Sequence, residues 1–191
     1  MSDKGMLVVF SAPSGCGKDT VFHELIKRRD DIVKSVSATT RKPRHGEVNG
    51  KNYFFVNEEE FRHMIDNGGL LEYAKYNNCY YGTPKKAVEH AIEKGKICFL
   101  IIEVQGAQKV MKKFPDCVSI FLLPPSEEIL RKRLYGRHTD SEEMIENRLD
   151  IAKVELAFKD KYTYQVINDN LDDCVNDIEK ILCDELKKRN A

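Results

Sequence analysis

The chain has 191 residues, 41% hydrophobic and 32% charged, which is apolar enough for one sizeable core and excludes a disordered chain. Its 31 Lys and Arg balance 31 Asp and Glu, so no overall field draws it to nucleic acid or to an anionic membrane, and any anion must be caught locally. The six cysteines form no C-x-x-C pair, and neither a leader-like segment nor a run of eighteen apolar residues occurs. The expectation is therefore a cytoplasmic protein with unpaired thiols.

The first apolar run, Met6–Ser11, predicts a buried strand. After it come Ala12, Pro13, Ser14, Gly15, Cys16, Gly17, Lys18, Asp19 and Thr20, a glycine-containing turn and a helix start, in the order a phosphate loop requires. Backbone N–H groups and the helix N-terminus converge on one anion there, and Lys18 can reach the β- and γ-phosphates of a nucleoside triphosphate. Against G-x-x-x-x-G-K-[ST], the chain has Ala12 at the first glycine and Asp19 at the hydroxyl that helps hold magnesium, with Thr20 the nearest hydroxyl. Asp19 either ligates Mg2+ or repels the phosphates. The competing reading is a chance Gly-Lys turn.

Residues 35–84 follow, rich in Thr, Arg, Gly, Asn and Tyr with short strand patterns. Further apolar runs at Ile97–Ile102, Val118–Leu122 and Gln165–Ile167 are each followed by a stretch with helical periodicity, with helices beginning near Gly17, Pro84, Gln105, Ser126, Ser141 and Leu171. That alternation predicts an α/β fold with a parallel sheet flanked by helices. Two stretches break it, residues 35–84 and the charge-rich 126–156, which read as lobes inserted into a core of 1–34, 85–125 and 157–191. In the second insert Arg133 and Arg137 fall on one helical face with Arg148 beyond. Solvated salt-bridged surface is the alternative, and the one expected for Lys132.

Several segments stand in collinear order: Ser35 to Phe55, with Arg41-Lys42-Pro43-Arg44 and Asn52-Tyr53-Phe54-Phe55; Leu71-Glu72-Tyr73-Ala74; Tyr80-Tyr81-Gly82-Thr83; Val104-Gln105-Gly106-Ala107; Pro124-Pro125-Ser126; and Val166-Ile167-Asn168-Asp169. Together they closely resemble the guanylate kinases. The resemblance covers nearly the whole chain and implies a P-loop fold with a GMP-binding lobe and a helical lid, acting on ATP and GMP, and on dGMP, with Mg2+. The residue chemistry agrees. Arg41 and Arg44 can fork onto a phosphate monoester, and Tyr53 and Tyr81 add hydroxyl donors. An ionised Glu72 can accept both guanine N1–H and the exocyclic amine, whereas adenine would present an acceptor to it.

By resemblance, Ser37 and Thr83 donate to guanine O6, Glu103 lies near the exocyclic amine, Arg133, Arg137 and Arg148 are phosphate contacts delivered on closure, and Arg41 bridges donor and acceptor phosphates. The family also places adenine near Asn168, while capping the last helix is an equal role for Asp169. Many relatives carry an acid where this chain has Ile101, and aspartate where it has Glu103, which leaves magnesium organisation open. Two other functions stay in view: a scaffold-type domain without competent nucleotide chemistry, and a P-loop kinase for another phosphorylated acceptor. Retention of Lys18 and the arginines argues against the first, and Glu72 with Ser37 and Thr83 against the second.

Overall fold

The computed structural model describes residues 5–76, 78–136 and 141–190; Arg137, expected at the site, lies outside them. Strands β1 (Met6–Ser11), β2 (Ile32–Lys34), β7 (Ile97–Ile101), β8 (Val118–Leu123) and β9 (Tyr164–Ile167) form a parallel sheet in the order β2-β7-β1-β8-β9. Strand β1 is buried along its whole length, as a central parallel strand must be when helices cover both faces.

The helices are α1 (Lys18–Arg28), α2 (Glu58–Asp66), α3 (Lys85–Glu93), α4 (Val104–Lys113), α5 (Glu127–Tyr135), α6 (Glu142–Leu156) and α7 (Leu171–Asn190). On one side of the sheet Val8, Phe10, Phe99 and Ile120 pack with Phe22 and Leu25 of α1 and Ile178 and Leu182 of α7. On the other, Val9, Leu100 and Phe121 meet Val88 of α3 and Ala107 and Val110 of α4. Each such fully buried large side chain is worth about 1.5–3 kcal/mol over exposure, so these two layers carry most of the stability.

Strands β3 (Ala38–Thr39), β4 (Phe54–Phe55), β5 (Leu70–Tyr76) and β6 (Cys79–Pro84) make a second sheet in the order β4-β3-β6-β5. Sequence patterning saw only short strands between residues 35 and 84; the structure adds α2. Its N-terminus is closed by a reciprocal pair in which the Asn57 side chain accepts from Glu60 N–H at 2.8 Å and the Glu60 carboxylate accepts from Asn57 N–H at 2.7 Å. Phe61 of α2, with Ala38 and Leu70, makes this lobe's own small core.

Residues 126–136 and 141–156 lie against the phosphate-loop end of the sheet: Leu130, Leu134, Ile145, Leu149 and Ala152 belong to the same cluster as Cys16 and Val175. Helix α7 is capped by Asn170, whose Oδ1 accepts from the N–H of Asp172 at 2.8 Å and of Asp173 at 3.2 Å, so the cap expected of Asp169 falls one residue later.

Candidate functional site

The loop from Ala12 to Gly17 leaves the C-terminal end of β1, where ligands sit in open parallel sheets. Gly15 and Gly17 hold φ of 90° and 83°, a region that costs side-chain-bearing residues energy. Space is short as well: a Cβ on Gly15 would meet Leu134 Cδ2 at 2.8 Å, and one on Gly17 would meet Asn168 Nδ2 at 2.8 Å, so either side chain would have to shift. Cys16 points inward, buried in the main core, and burial pushes its thiol up to about 12, with Arg133 opposing. Ala12 and Pro13 are buried, while Asp19 and Thr20 are exposed in the first turn of α1.

Distant residues hold this loop. The buried Asn168 amide donates through Nδ2 to Cys16 O at 2.8 Å, and Arg133 Nη2 donates to Asn168 O at 2.8 Å. Asn168 thus clamps the loop through its side-chain amide. Arg133 Nη1 is buried with no partner among the described residues. Arg148 donates to Ser14 Oγ through Nε at 3.0 Å and Nη2 at 2.8 Å. Arg131 and Lys132, by contrast, pair on the surface with Glu146 and Glu128.

Sequence reasoning did not single out Glu155. Its Oε2 accepts from Ser14 N–H at 3.3 Å. Burial, then the neighbouring Glu103, raise its carboxyl to about 7, while Ser14 N–H and Lys18 pull the other way. Arg148 and Glu155 are seven residues apart, two turns along one face of α6, and that spacing was the available signal.

The second lobe gathers Arg41, Tyr53, Tyr81 and Glu47. Both Arg41 Nη atoms donate to the Glu47 carboxylate, at 2.9 and 2.8 Å, and the guanidinium stacks on Tyr53 and Phe55 at 5.4 and 5.7 Å from the ring centroids. Tyr53 and Tyr81 meet edge to face at 6.1 Å. The Arg41 hydrogen bonds pull Glu47 down to about 2, helped by a 2.7 Å bond from the Arg44 backbone N–H. Glu47 was missed because nothing local distinguishes it from the other polar loop residues. The Arg44 side chain is exposed, and Ser37, half-buried just before β3, accepts through its carbonyl from Phe54 N–H.

A bulge between Leu70 and Tyr73 sets Leu71 and Glu72 against Thr83 alone, and Thr83 Oγ1 donates to Glu72 Oε1 at 2.8 Å. Burial raises the Glu72 carboxyl; the Thr83 hydroxyl and the Lys109 charge oppose. Beneath it runs Gly106 of α4, where a Cβ would lie 3.1 Å from Glu72 Oε2. One turn earlier on the same helix end, Glu103 Oε1 lies 4.0 Å from Lys18 Nζ. The start of α4 therefore touches both halves of the site, with Ile101 packed into the main core at the end of β7.

A family profile described as guanylate kinase matches residues 4–185. The chain is 50% identical over 182 residues to a guanylate kinase of Caldanaerobacter subterraneus subsp. tengcongensis, covering 95% of this chain and 88% of the relative. It is 48% identical over 182 residues to one of Lactococcus lactis subsp. lactis, covering 95% and 89%. Among solved structures, the guanylate kinase of Anaplasma phagocytophilum superposes with a TM-score of 0.74 at 36% identity, covering 96% of this chain and 87% of that one.

Proposed function

The chain belongs to the guanylate kinase family, as an ATP:GMP phosphotransferase yielding ADP and GDP, and we propose how its residues divide that work. The observation that carries the assignment is the start of α4, which touches Lys18 through Glu103 and Glu72 through Gly106. One helical turn, about 5.4 Å, thus joins the triphosphate loop to the base-selecting carboxylate.

In this reading residues 12–20 take the triphosphate of ATP, with Lys18 on its β- and γ-phosphates and adenine toward Asn168. Arg41, Arg44, Tyr53 and Tyr81 take the GMP phosphate. Glu72 takes guanine N1–H and the exocyclic amine, with Ser37 and Thr83 at O6 and Glu103 nearby. For O6, the Thr83 hydroxyl has to turn from the Glu72 carboxylate to which it now donates. Phosphoryl transfer needs in-line alignment and neutralisation of the moving oxygens more than covalent help. Lys18, Arg41, Arg133, Arg137 and Arg148 supply that charge, and the buried Nη1 of Arg133, without a partner among the described residues, supports its part.

Magnesium enters as MgATP. A cation bound chiefly by phosphates and water needs few protein ligands, and Asp19 and Thr20, exposed in the first turn of α1, suit that supplementary part. The division into a core of 1–34, 85–125 and 157–191, a GMP-binding lobe of 35–84 and a lid of 126–156 belongs to the same proposal. Among the described residues no helix is long and apolar enough to cross a membrane. The free cysteines support assignment to the cytoplasm.

A coupled assay of ADP formation with MgATP and GMP, dGMP, AMP, CMP, UMP or no acceptor tests the assignment. Turnover is expected with GMP and dGMP alone; comparable turnover with AMP would overturn the role given to Glu72.

A further inference from the structure

Helix α6 grips the phosphate loop at one residue from both sides. Arg148 donates to Ser14 Oγ at 3.0 and 2.8 Å, and Glu155, two turns on, accepts from Ser14 N–H at 3.3 Å. A carboxylate on a backbone N–H of a phosphate loop occupies the kind of donor such a loop offers to a phosphate oxygen. We propose that Glu155 is a built-in competitor for this donor, so that a triphosphate seated on the loop must expel the Glu155 carboxylate, and with it shift α6.

The surroundings make Glu155 a weakly held competitor. It shares its space with the like-charged Glu103 of the α4 N-terminus, with Lys18 of α1 as the nearby cation, Cys16 of the loop beneath, and Tyr162 just before β9. Burial and Glu103 already disfavour its charge, and a triphosphate that takes Ser14 N–H removes its hydrogen bond and sets phosphate charge beside it, so the charged carboxylate opposes binding more than the neutral one does. Lys18 would then trade a carboxylate neighbour for phosphate. Arg148 can remain at Ser14 through Nε and Nη2. One helix face thus carries both the residue that yields to the triphosphate and a guanidinium held beside the loop.

The proposal rests on reading residues 12–20 as the triphosphate site. It is tested by calorimetric titration of the full chain with MgATP, and separately with magnesium tripolyphosphate, without GMP, comparing wild type with Glu155→Gln. The variant keeps size and a hydrogen-bonding carbonyl but never carries charge. It is expected to bind both ligands about tenfold more tightly at pH 8, the scale of a charge-assisted hydrogen bond no longer displaced. A residue that merely braced the loop would show the opposite sign.

The second readout is the ratio of wild-type to variant Kd between pH 6 and pH 8. Glu155 is largely neutral at the lower pH and largely charged at the higher, so the ratio should rise across the interval, while titration of ATP itself cancels. Equal or weaker binding by the variant, or a ratio flat with pH, overturns the proposal. If Glu155→Gln fails to fold, Glu155→Ala with the same titrations replaces it. Wild type that takes up neither ligand defeats the triphosphate reading itself; wild type that binds while the variant matches it defeats only the competition.

Discussion

The phosphate-loop end of the parallel sheet and the second lobe hold their functional groups by different means. At the loop, residues from three distant places in the chain converge: Asn168 clamps Cys16 O, Arg133 of α5 clamps Asn168 while its neighbour Leu134 fills the space beside Gly15, and Arg148 and Glu155 of α6 take Ser14. In the lobe, Arg41 is held by Glu47 of its own loop, Glu72 by Thr83 across a bulge, and the supporting core is Ala38, Phe61 and Leu70. A site embedded in a domain-sized core starts near its working geometry. One mounted on a small core opens at lower cost and can tighten around its ligand.

The comparison breaks if damage to one region spreads to the other. The largest expected effect is Lys18→Ala, which should lower kcat by at least about 10²–10³-fold, the cost of removing one preorganised charge from a phosphoryl site. GMP affinity, measured by calorimetry, should stay unchanged. Next comes Glu72→Gln, with an expected loss of about 10–100-fold in kcat/KM for GMP and loss of the preference for GMP over IMP, while the KM for ATP is retained. Discrimination that survives this change would remove Glu72 from base recognition.

Glu47→Gln should raise the KM for GMP about tenfold by freeing the Arg41 fork, with ATP binding unaltered. In wild type, carbon-13 titration of the Glu47 carboxyl should show it charged well below the usual carboxylate range, near pH 2. Its folded value is depressed, so whatever the pair adds to stability is present above the ordinary Glu value of 4.5 and is lost as pH falls toward 2.

Asn168→Ala leaves the Cys16 carbonyl without its partner and is expected to cost about 1–3 kcal/mol of stability. A raised KM for ATP and an unchanged KM for GMP would keep the two regions distinct. The smallest effect belongs to Cys16: iodoacetamide at pH 8 should leave activity intact in the native protein and label this thiol only after unfolding, because it is buried and held protonated.

Local patterns were legible where local physics decides. The core strands β1, β7 and β8 appeared within one residue of their ends because buried parallel strands are continuous apolar runs, and the edge strand β9, mostly unburied, was found to the same accuracy from its short β-branched stretch. The phosphate loop was read from its glycines and its place between strand and helix. Helix α2 was missed because its turns lie among the short strands of a polar stretch, although Asn57 and Glu60 carried the cap. Strand β2 was missed because it has only three residues, beside charged neighbours.

What the amino-acid sequence determined by itself was the fold class, the glycine-containing turn between strand and helix, and the collinear segments that carry the family resemblance, since each is encoded by neighbours in the chain. Only the tertiary structure decided that Asn168 serves the loop from within, that a bulge turns Glu72 onto Thr83, that α4 links the two half-sites, and that Glu155 sits on Ser14 N–H. Partners such as Ser14 and Glu155 are 141 positions apart. No local periodicity records such a meeting, because packing of the whole core brings it about.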